Sequence, residues 1–375
     1  MPSEIPTVGF VIDDLGIGGA QKQLMLVASA LVLTTGTRVY VLSTIEAPHG
    51  RSLRARGVPV TTMRRRSNMD PTRLVRLTRA MGADRVDVVH GFLDASNVYA
   101  FLAARALRKP VVLSLRSQLL TLRGVRGRVL RALLRRADAV TVNSEAGRAF
   151  LVERVRVQAD RVVLLPNIVA PASAAPPRDD TAPVVGCVGR LVGLKRFDAV
   201  LRAFPRVRAA VPGARLEMVG DGPELGALRA LARELDVEQW VDFTGAVDDA
   251  TTRMAAMACV VFASEFEGLP NAALESIARG VPVVAVPVGD LPSIVVDGST
   301  GVVVGAASPE ILAAGIVRAL TDRALRRRAQ DEGPRLVRER YSVQAALAVL
   351  LPLYQRLSKR TGAAALEATT PVLGE

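Results

Sequence analysis

Short apolar runs alternate with longer amphipathic stretches along most of the chain, and this alternation constrains the fold more than any other feature. Residues 7–12, 38–43, 86–90, 111–115, 139–143 and 162–165 read as buried strands, with helical stretches such as 18–33 between them. Strand, helix and strand in regular succession argue for parallel strands joined by crossover helices, hence a doubly wound α/β sheet. The pattern stops after Ala170. Residues 171–183 are rich in Pro, Ala and Asp and have no periodicity, which marks a linker. Alternation restarts at 184–188 and continues through 215–219, 241–243, 259–262 and 281–285. The chain therefore divides into a first Rossmann-like domain (1–170), a linker (171–183) and a second Rossmann-like domain (184–340). An apolar helix over 341–359 follows, then a tail (360–375) with too little to bury, expected to be disordered.

At 375 residues the chain can bury two cores of ordinary size, and half of its residues are apolar, which excludes a disordered chain. Aromatic residues make up only 4%, with one Trp, so stacking platforms for single-stranded nucleic acid are lacking. Two Cys and two His, spread apart, make no zinc site; Cys187 and Cys259 read as core residues of a reducing compartment. The start of the sequence has no secretory pattern, and no run approaches the roughly 18–20 apolar residues of a spanning helix, so a cytoplasmic protein is expected. Charge is uneven. Residues 1–170 hold 26 Lys and Arg against 12 Asp and Glu, whereas the remainder holds 23 against 24. The first half thus faces an anionic partner. Residues 116–136, with seven Arg among Leu and Val, suit either a solvated helix face or an amphipathic helix on anionic lipid at the inner face of the cell membrane. No recognition motif accompanies the charge, and nucleic acid is not expected.

Chemistry concentrates in the second half. Glu265-Phe-Glu-Gly-Leu-Pro-Asn-Ala-Ala-Leu-Glu275 follows the strand 259–262, and Pro270 sits where a helix would begin. Glu267 then belongs to a strand-to-helix loop and Glu275 to the second helical turn, roughly 8–12 Å apart at a rise of about 1.5 Å per residue. The amides of Gly268, Leu269 and Asn271 around Pro270 face the same mouth. Gly189-Arg-Leu-Val-Gly-Leu-Lys195 follows the first strand of the second domain. Arg190 and Lys195 there form a phosphate clamp, the Arg by its fork and the Lys as a point charge. Gly18 and Gly19 follow the first strand of the first domain, where they let backbone approach a ligand. Strand ends supply further candidates: Asp221 and Gly245 in the second domain, His90, Arg116, Asn143 and Asn167 in the first. His90 reads equally well as a satisfied structural residue.

Ser264, Glu267, Gly268, Pro270 and Glu275 match in order the E-x7-E motif, and the segment resembles that of the family 4 retaining glycosyltransferases. Gly189-Arg190 with Lys195 resembles the family's G-R-x-x-x-x-K, and Gly18-Gly19-Ala-Gln21 its G-G-A-E/Q loop. The resemblance implies the GT-B fold, two Rossmann-like domains facing a central cleft with a C-terminal helix crossing back to the first. It implies transfer of a hexose or N-acetylhexosamine from a nucleoside-diphosphate sugar, UDP being favoured over GDP, to a lipid-linked or glycan acceptor in polysaccharide or glycolipid assembly. It also implies that no metal or other cofactor takes part. Arg190 and Lys195 would hold the diphosphate, Glu275 the ribose, and Glu267 the charge developing at the anomeric carbon, with Gly189, Gly268 to Asn271, Gly18, Gly19, Asp221 and Gly245 lining the donor. His90, Arg116, Asn143 and Asn167 would touch acceptor or sugar; many members of the family have His where this chain has Arg116. Two other readings stay open: a nucleotide-sugar epimerase of the same fold, and a non-enzymatic basic protein binding lipid or nucleic acid.

Overall fold

The computed structural model describes residues 6–43, 47–63, 70, 72–116, 124–171, 182–247 and 249–369, with side chains to Lys359. The chain forms two compact units, one from residues up to Pro166 together with those from Val343 onward, the other from Asn167–Ser342.

Unit 1 contains β1 (Val8–Ile12), α1 (Gly19–Leu31), β2 (Arg38–Val41), α2 (Pro48–Ala55), β3 (Val60–Thr62), α3 (Thr72–Ala83) and β4 (Val88–Phe92). It continues with α4 (Asp94–Ala106), β5 (Val111–Leu115), α5 (Gly124–Arg136), β6 (Ala139–Val142), α6 (Glu145–Phe150) and β7 (Val162–Leu164). The seven strands are parallel in the order β3-β2-β1-β4-β5-β6-β7. β1, β4, β5 and β6 are buried along their whole length, which is why they read as unbroken apolar runs. The direction of winding reverses between β1 and β4. With right-handed crossovers, α1 and α2 cover one face of the sheet and α3 to α6 the other. Consistent with this, α1 packs on α2, α3 on α4, and α4 on α5.

Unit 2 contains β8 (Val184–Val188), α7 (Phe197–Ala210), β9 (Arg215–Val219), α8 (Leu225–Glu234), β10 (Val241–Gly245), α9 (Ala250–Ala256) and β11 (Cys259–Phe262). It is completed by α10 (Asn271–Ile277), β12 (Val283–Ala285), α11 (Leu291–Ile294), β13 (Gly301–Val303), α12 (Pro309–Thr321) and α13 (Arg323–Arg340). Its parallel strands run β10-β9-β8-β11-β12-β13, so winding reverses between β8 and β11. Cys187 and Cys259 are fully buried in this core. The final helix, α14 (Val343–Thr369), belongs to unit 1 and packs on α1 and β4. The doubly wound class and the return of the last helix to the first unit agree with the sequence expectation.

Three details differ. β3 went unread because it is an edge strand with Thr61 and Thr62 exposed, so no apolar run marks it. β13 is three residues long and opens on Gly301, where a Cβ would lie 1.9 Å from the Val283 carbonyl oxygen. α14 continues ten residues beyond 359, carried through Ala363, Ala364 and Ala365, which favour helix without needing a core. Residues 172–181 of the linker and 370–375 of the tail lie outside the described residues.

Candidate active site

In open α/β sheets, ligands bind beyond the carboxyl ends of the strands where winding reverses. In unit 2 that place lies between β8 and β11, and the loops leaving these two strands meet there. Lys195 closes a short 3-10 turn after β8 (Gly193–Lys195), and Glu267 lies in the loop after β11. Lys195 Nζ donates to Glu267 Oε1, and Ser264 Oγ donates to the same oxygen at 2.7 Å. Both bonds fall on Oε1, so Oε2 makes neither. The Glu267 side chain is 8% exposed and that of Lys195 24%, a carboxylate held inside by a cation that reaches the surface. Glu275, one helical element on, is also buried at 6% exposure. Burial pushes the Arg279 guanidinium down from its ordinary range, against the pull of the Glu275 carboxylate and of Asp249.

Neighbouring contacts fix the two loops against each other. Glu265 N donates to the Leu194 carbonyl at 3.0 Å, and Arg196 pairs with both Asp198 and Glu265 at 3.2 Å. Asn167 Nδ2 donates to the Leu269 carbonyl at 2.6 Å, and Asp290 N to the Gly268 carbonyl at 3.0 Å. Two glycines allow the close approach. A Cβ on Gly220 (φ 140°) would lie 1.9 Å from the Gly189 carbonyl oxygen, and one on Gly289 (φ 56°) 2.0 Å from that of Glu267. Arg190 is exposed beside them, and the Leu191 amide donates to the Asp221 carbonyl at 2.9 Å.

The central strands of unit 1 hold a different arrangement, and β4 runs two residues past His90, which sits inside the strand. His90 on β4 is fully buried, with Nδ1 2.7 Å from the Tyr354 hydroxyl of α14 and Nε2 2.9 Å from Ser114 Oγ on β5. Ser114 Oγ lies 2.6 Å from Thr141 Oγ1 on β6, so hydroxyls and imidazole form one chain from α14 across three strands. Phe10 and Phe92 enclose the imidazole at ring distances of 5.3 and 4.8 Å. Burial and the Arg116 charge hold His90 well below its ordinary pKa, hence neutral. Arg116 stacks on Phe92 (5.1 Å), and burial pushes its guanidinium down to about 10.

Two sequence patterns cover most of the chain: one described as Glycosyltransferase Family 4 matches residues 17–173, and one described as Glycosyl transferases group 1 matches residues 182–322. The chain belongs to the group 1 glycosyltransferases of family 4. This glycosyltransferase is 37% identical over 149 residues to a GDP-mannose-dependent alpha-(1-6)-phosphatidylinositol monomannoside mannosyltransferase of Mycolicibacterium smegmatis, covering 37% of this chain and 39% of that one. It is 34% identical over 172 residues to the lipopolysaccharide core biosynthesis glycosyltransferase LpsE of Rhizobium meliloti, covering 46% and 49%. The match thus spans less than half the length of these relatives. Anabaena HepE in complex with UDP-glucose shares the fold with a TM-score of 0.78 at 19% identity, over 96% of this chain and 99% of that one.

Within the glycosyltransferase, the sequence-derived residues separate by unit. Lys195, Glu267, Gly268 and Leu269 come together in unit 2, with Gly189, Arg190 and Asp221 on the adjoining loop. Gly245 accepts from the Gly220 amide at 2.9 Å. Pro270 and Asn271 begin α10, which carries Glu275. Gly18 and Gly19 open α1, and Asn143 precedes Ser144, the cap of α6. Two expectations need correction. His90 has both nitrogens engaged and no exposed surface, so it does not serve as an acceptor or sugar contact. Asn167 belongs to unit 2, not to the first domain, and braces the Leu269 carbonyl. Sequence reasoning missed Arg196 and Asp290 as braces. Their roles depend on which backbone groups the fold brings near, which no local spacing reveals.

Proposed function

We propose that this chain is a retaining glycosyltransferase that moves a hexosyl or N-acetylhexosaminyl group from a nucleoside-diphosphate sugar to a lipid-linked or glycan acceptor. The observation that carries this reading is the Lys195–Glu267–Ser264 cluster where winding reverses in unit 2. The bond from the anomeric carbon to the diphosphate breaks, a new bond to the acceptor oxygen forms on the same face, and the departing diphosphate takes the acceptor proton. Lys195 and Arg190 would neutralise the charge gathering on the diphosphate. Glu267, bonded to Lys195 through one oxygen, would offer its remaining oxygen near the anomeric carbon as positive charge develops. Glu275 would accept from the ribose diol, because paired acceptors suit vicinal hydroxyls. No metal is required in this scheme, and transfer should persist in a chelator.

The relatives bear on donor and acceptor. The mycobacterial relative is named for GDP-mannose and a phosphatidylinositol mannoside, whereas the structure of HepE holds UDP-glucose at an identity that speaks only to fold. GDP-mannose is therefore the first donor to try, ahead of the UDP sugars that the family resemblance favoured. Both named relatives assemble glycolipids, which fits a basic unit 1 that rests on an anionic membrane while it meets a lipid-borne acceptor. The test is thermal stabilisation of the purified protein by GDP, UDP and their sugars. A ligand at a hundred times its dissociation constant adds about 2.7 kcal/mol. The shift should vanish in Arg190→Ala. Absence of a shift with every nucleotide would sink the reading.

A further inference from the structure

The loop between β11 and α10 is tied down through its carbonyls, one after another. The Glu267 carbonyl oxygen packs against Gly289, where a Cβ would lie 2.0 Å from it, and the Gly268 carbonyl accepts from the Asp290 amide at 3.0 Å. The Leu269 carbonyl accepts from Asn167 Nδ2 at 2.6 Å. Three successive carbonyl oxygens are thus taken up by the body of unit 2. Among the described residues no peptide is cis, and in a planar trans peptide the N–H points opposite to the carbonyl of the same plane. The amides of Gly268 and Leu269 are therefore turned away from Gly289 and Asp290. Among the described residues neither of them donates to a backbone carbonyl. Two successive amides turned to the same side make a pair of donors suited to a ligand oxygen.

Asn167 controls part of this orientation. Leu269 is fixed when the peptide planes on both sides of it are held: the Asp290 amide holds the one before, and Asn167 holds the one after. The plane after Leu269 ends on Pro270, which has no N–H, so its carbonyl is the polar group left to hold it. That carbonyl and the Asn167 amide meet in a buried place, with Asn167 itself 6% exposed. Without its donor, a buried carbonyl turns in search of another, and the rotation twists Leu269 and the amides before it. We infer that Asn167 is a positioning residue for the sugar half of the donor: through the Leu269 carbonyl it keeps the Gly268 and Leu269 amides aimed at the hexose. The inference rests on the reading above that unit 2 takes a nucleoside-diphosphate sugar. The nucleotide half falls to Arg190, Lys195 and Glu275 in that reading, and Asn167 holds none of these by the same bond. A residue that only packs would weaken both halves alike, whereas a positioning residue weakens the sugar half selectively.

Calorimetric titrations of the full-length protein with GDP, GDP-mannose, UDP and UDP-glucose would compare wild type with two variants. Asn167→Leu keeps the bulk and loses the donor; Asn167→Ala cannot clash and decides the outcome where the leucine variant does not fold. For the nucleotide that wild type binds, the dissociation constant of the bare diphosphate should stay within about twofold, while that of its sugar rises about tenfold or more, the scale of one or two lost hydrogen bonds. Retained affinity for the diphosphate also shows that unit 2 of the variant is folded. Parallel losses for diphosphate and sugar would make Asn167 a packing residue and overturn the inference, as would unchanged affinity for both. Failure of wild type to bind any nucleotide would sink the transferase reading and this inference with it. Normal nucleotide binding with an unmoved ratio between diphosphate and sugar would sink the inference alone.

Discussion

The same architecture treats polar groups in opposite ways in its two units. At the strand ends of unit 2, a cation and a carboxylate are paired close to the surface and braced by four neighbouring contacts. Within the central strands of unit 1, a neutral imidazole and three hydroxyls are sealed beneath α14. A charged pair that water can reach can exchange partners when a diphosphate arrives, whereas a fully enclosed neutral chain can only hold the strands and the helix together. The largest expected difference follows directly. Lys195→Ala and Glu267→Gln should each lower kcat/KM for transfer by about 10²–10³-fold, the scale of losing one preorganised charge contact. Tyr354→Phe should leave it within a few-fold. Comparable losses in both units would erase the distinction.

Stability should sort the same variants in another order. Lys195→Ala strands a buried carboxylate, and Glu267→Gln leaves a lysine that can turn to solvent. The first should cost about 1–3 kcal/mol, below the 3–5 typical of fully buried pairs because Lys195 is partly exposed, and the second less. Urea titration of both variants checks the order.

A glycine pair sharpens the comparison at the backbone. Gly289→Ala places a Cβ 2.0 Å from the Glu267 carbonyl oxygen at φ 56°, so the Glu267 loop must move. Gly57→Ala in unit 1 faces a similar φ of 77° with nothing within 4 Å. Both should lose about 1–2 kcal/mol for the left-handed conformation. Only Gly289→Ala should also lose transfer activity, by about tenfold or more, since small misplacement of a reacting group is costly. Equal activity in the two variants would show that the loop is not held in register by Gly289.

Much of this was legible in the sequence for physical reasons that also explain the failures. Parallel strands buried on both faces are largely apolar, so β1, β5 and β11 stood out within a residue of their ends. Edge strands such as β3 carry no such signal. Glu267, Glu275, Arg190 and Lys195 stand out as candidates because a short, spaced pattern of charges and glycines is visible in linear order. His90 stayed open between two readings because its two partners come from Ser114, 24 residues away, and Tyr354, 264 residues away. No local window contains a hydroxyl delivered by the last helix. Asn167 failed similarly, since its carbonyl partner lies 102 residues on.

The smallest effects belong to unit 1 and test whether its chain is purely structural. Tyr354→Phe leaves a buried ring nitrogen facing an apolar edge and should cost about 1–3 kcal/mol. The pH dependence follows from the depressed pKa of His90. In the unfolded chain a histidine gains its proton below about pH 6.5. The folded protein refuses that proton until far lower pH, because burial and the Arg116 charge both oppose it. Below pH 6.5 the unfolded state thus binds more protons than the native one, and stability falls as pH falls, by at most about 1.4 kcal/mol per pH unit. Above pH 7 the contribution is fully present and flat. His49 has the same sign, its pKa lowered by partial burial and by Lys22, so the slope must be taken against a His49→Gln background. Replacing His90 by Asn in that background should flatten the melting temperature between pH 5.5 and 7.5 while lowering it overall. If the slope survives, a carboxylate governs acid stability instead, and the chain beneath α14 is a packing contact without electrostatic consequence.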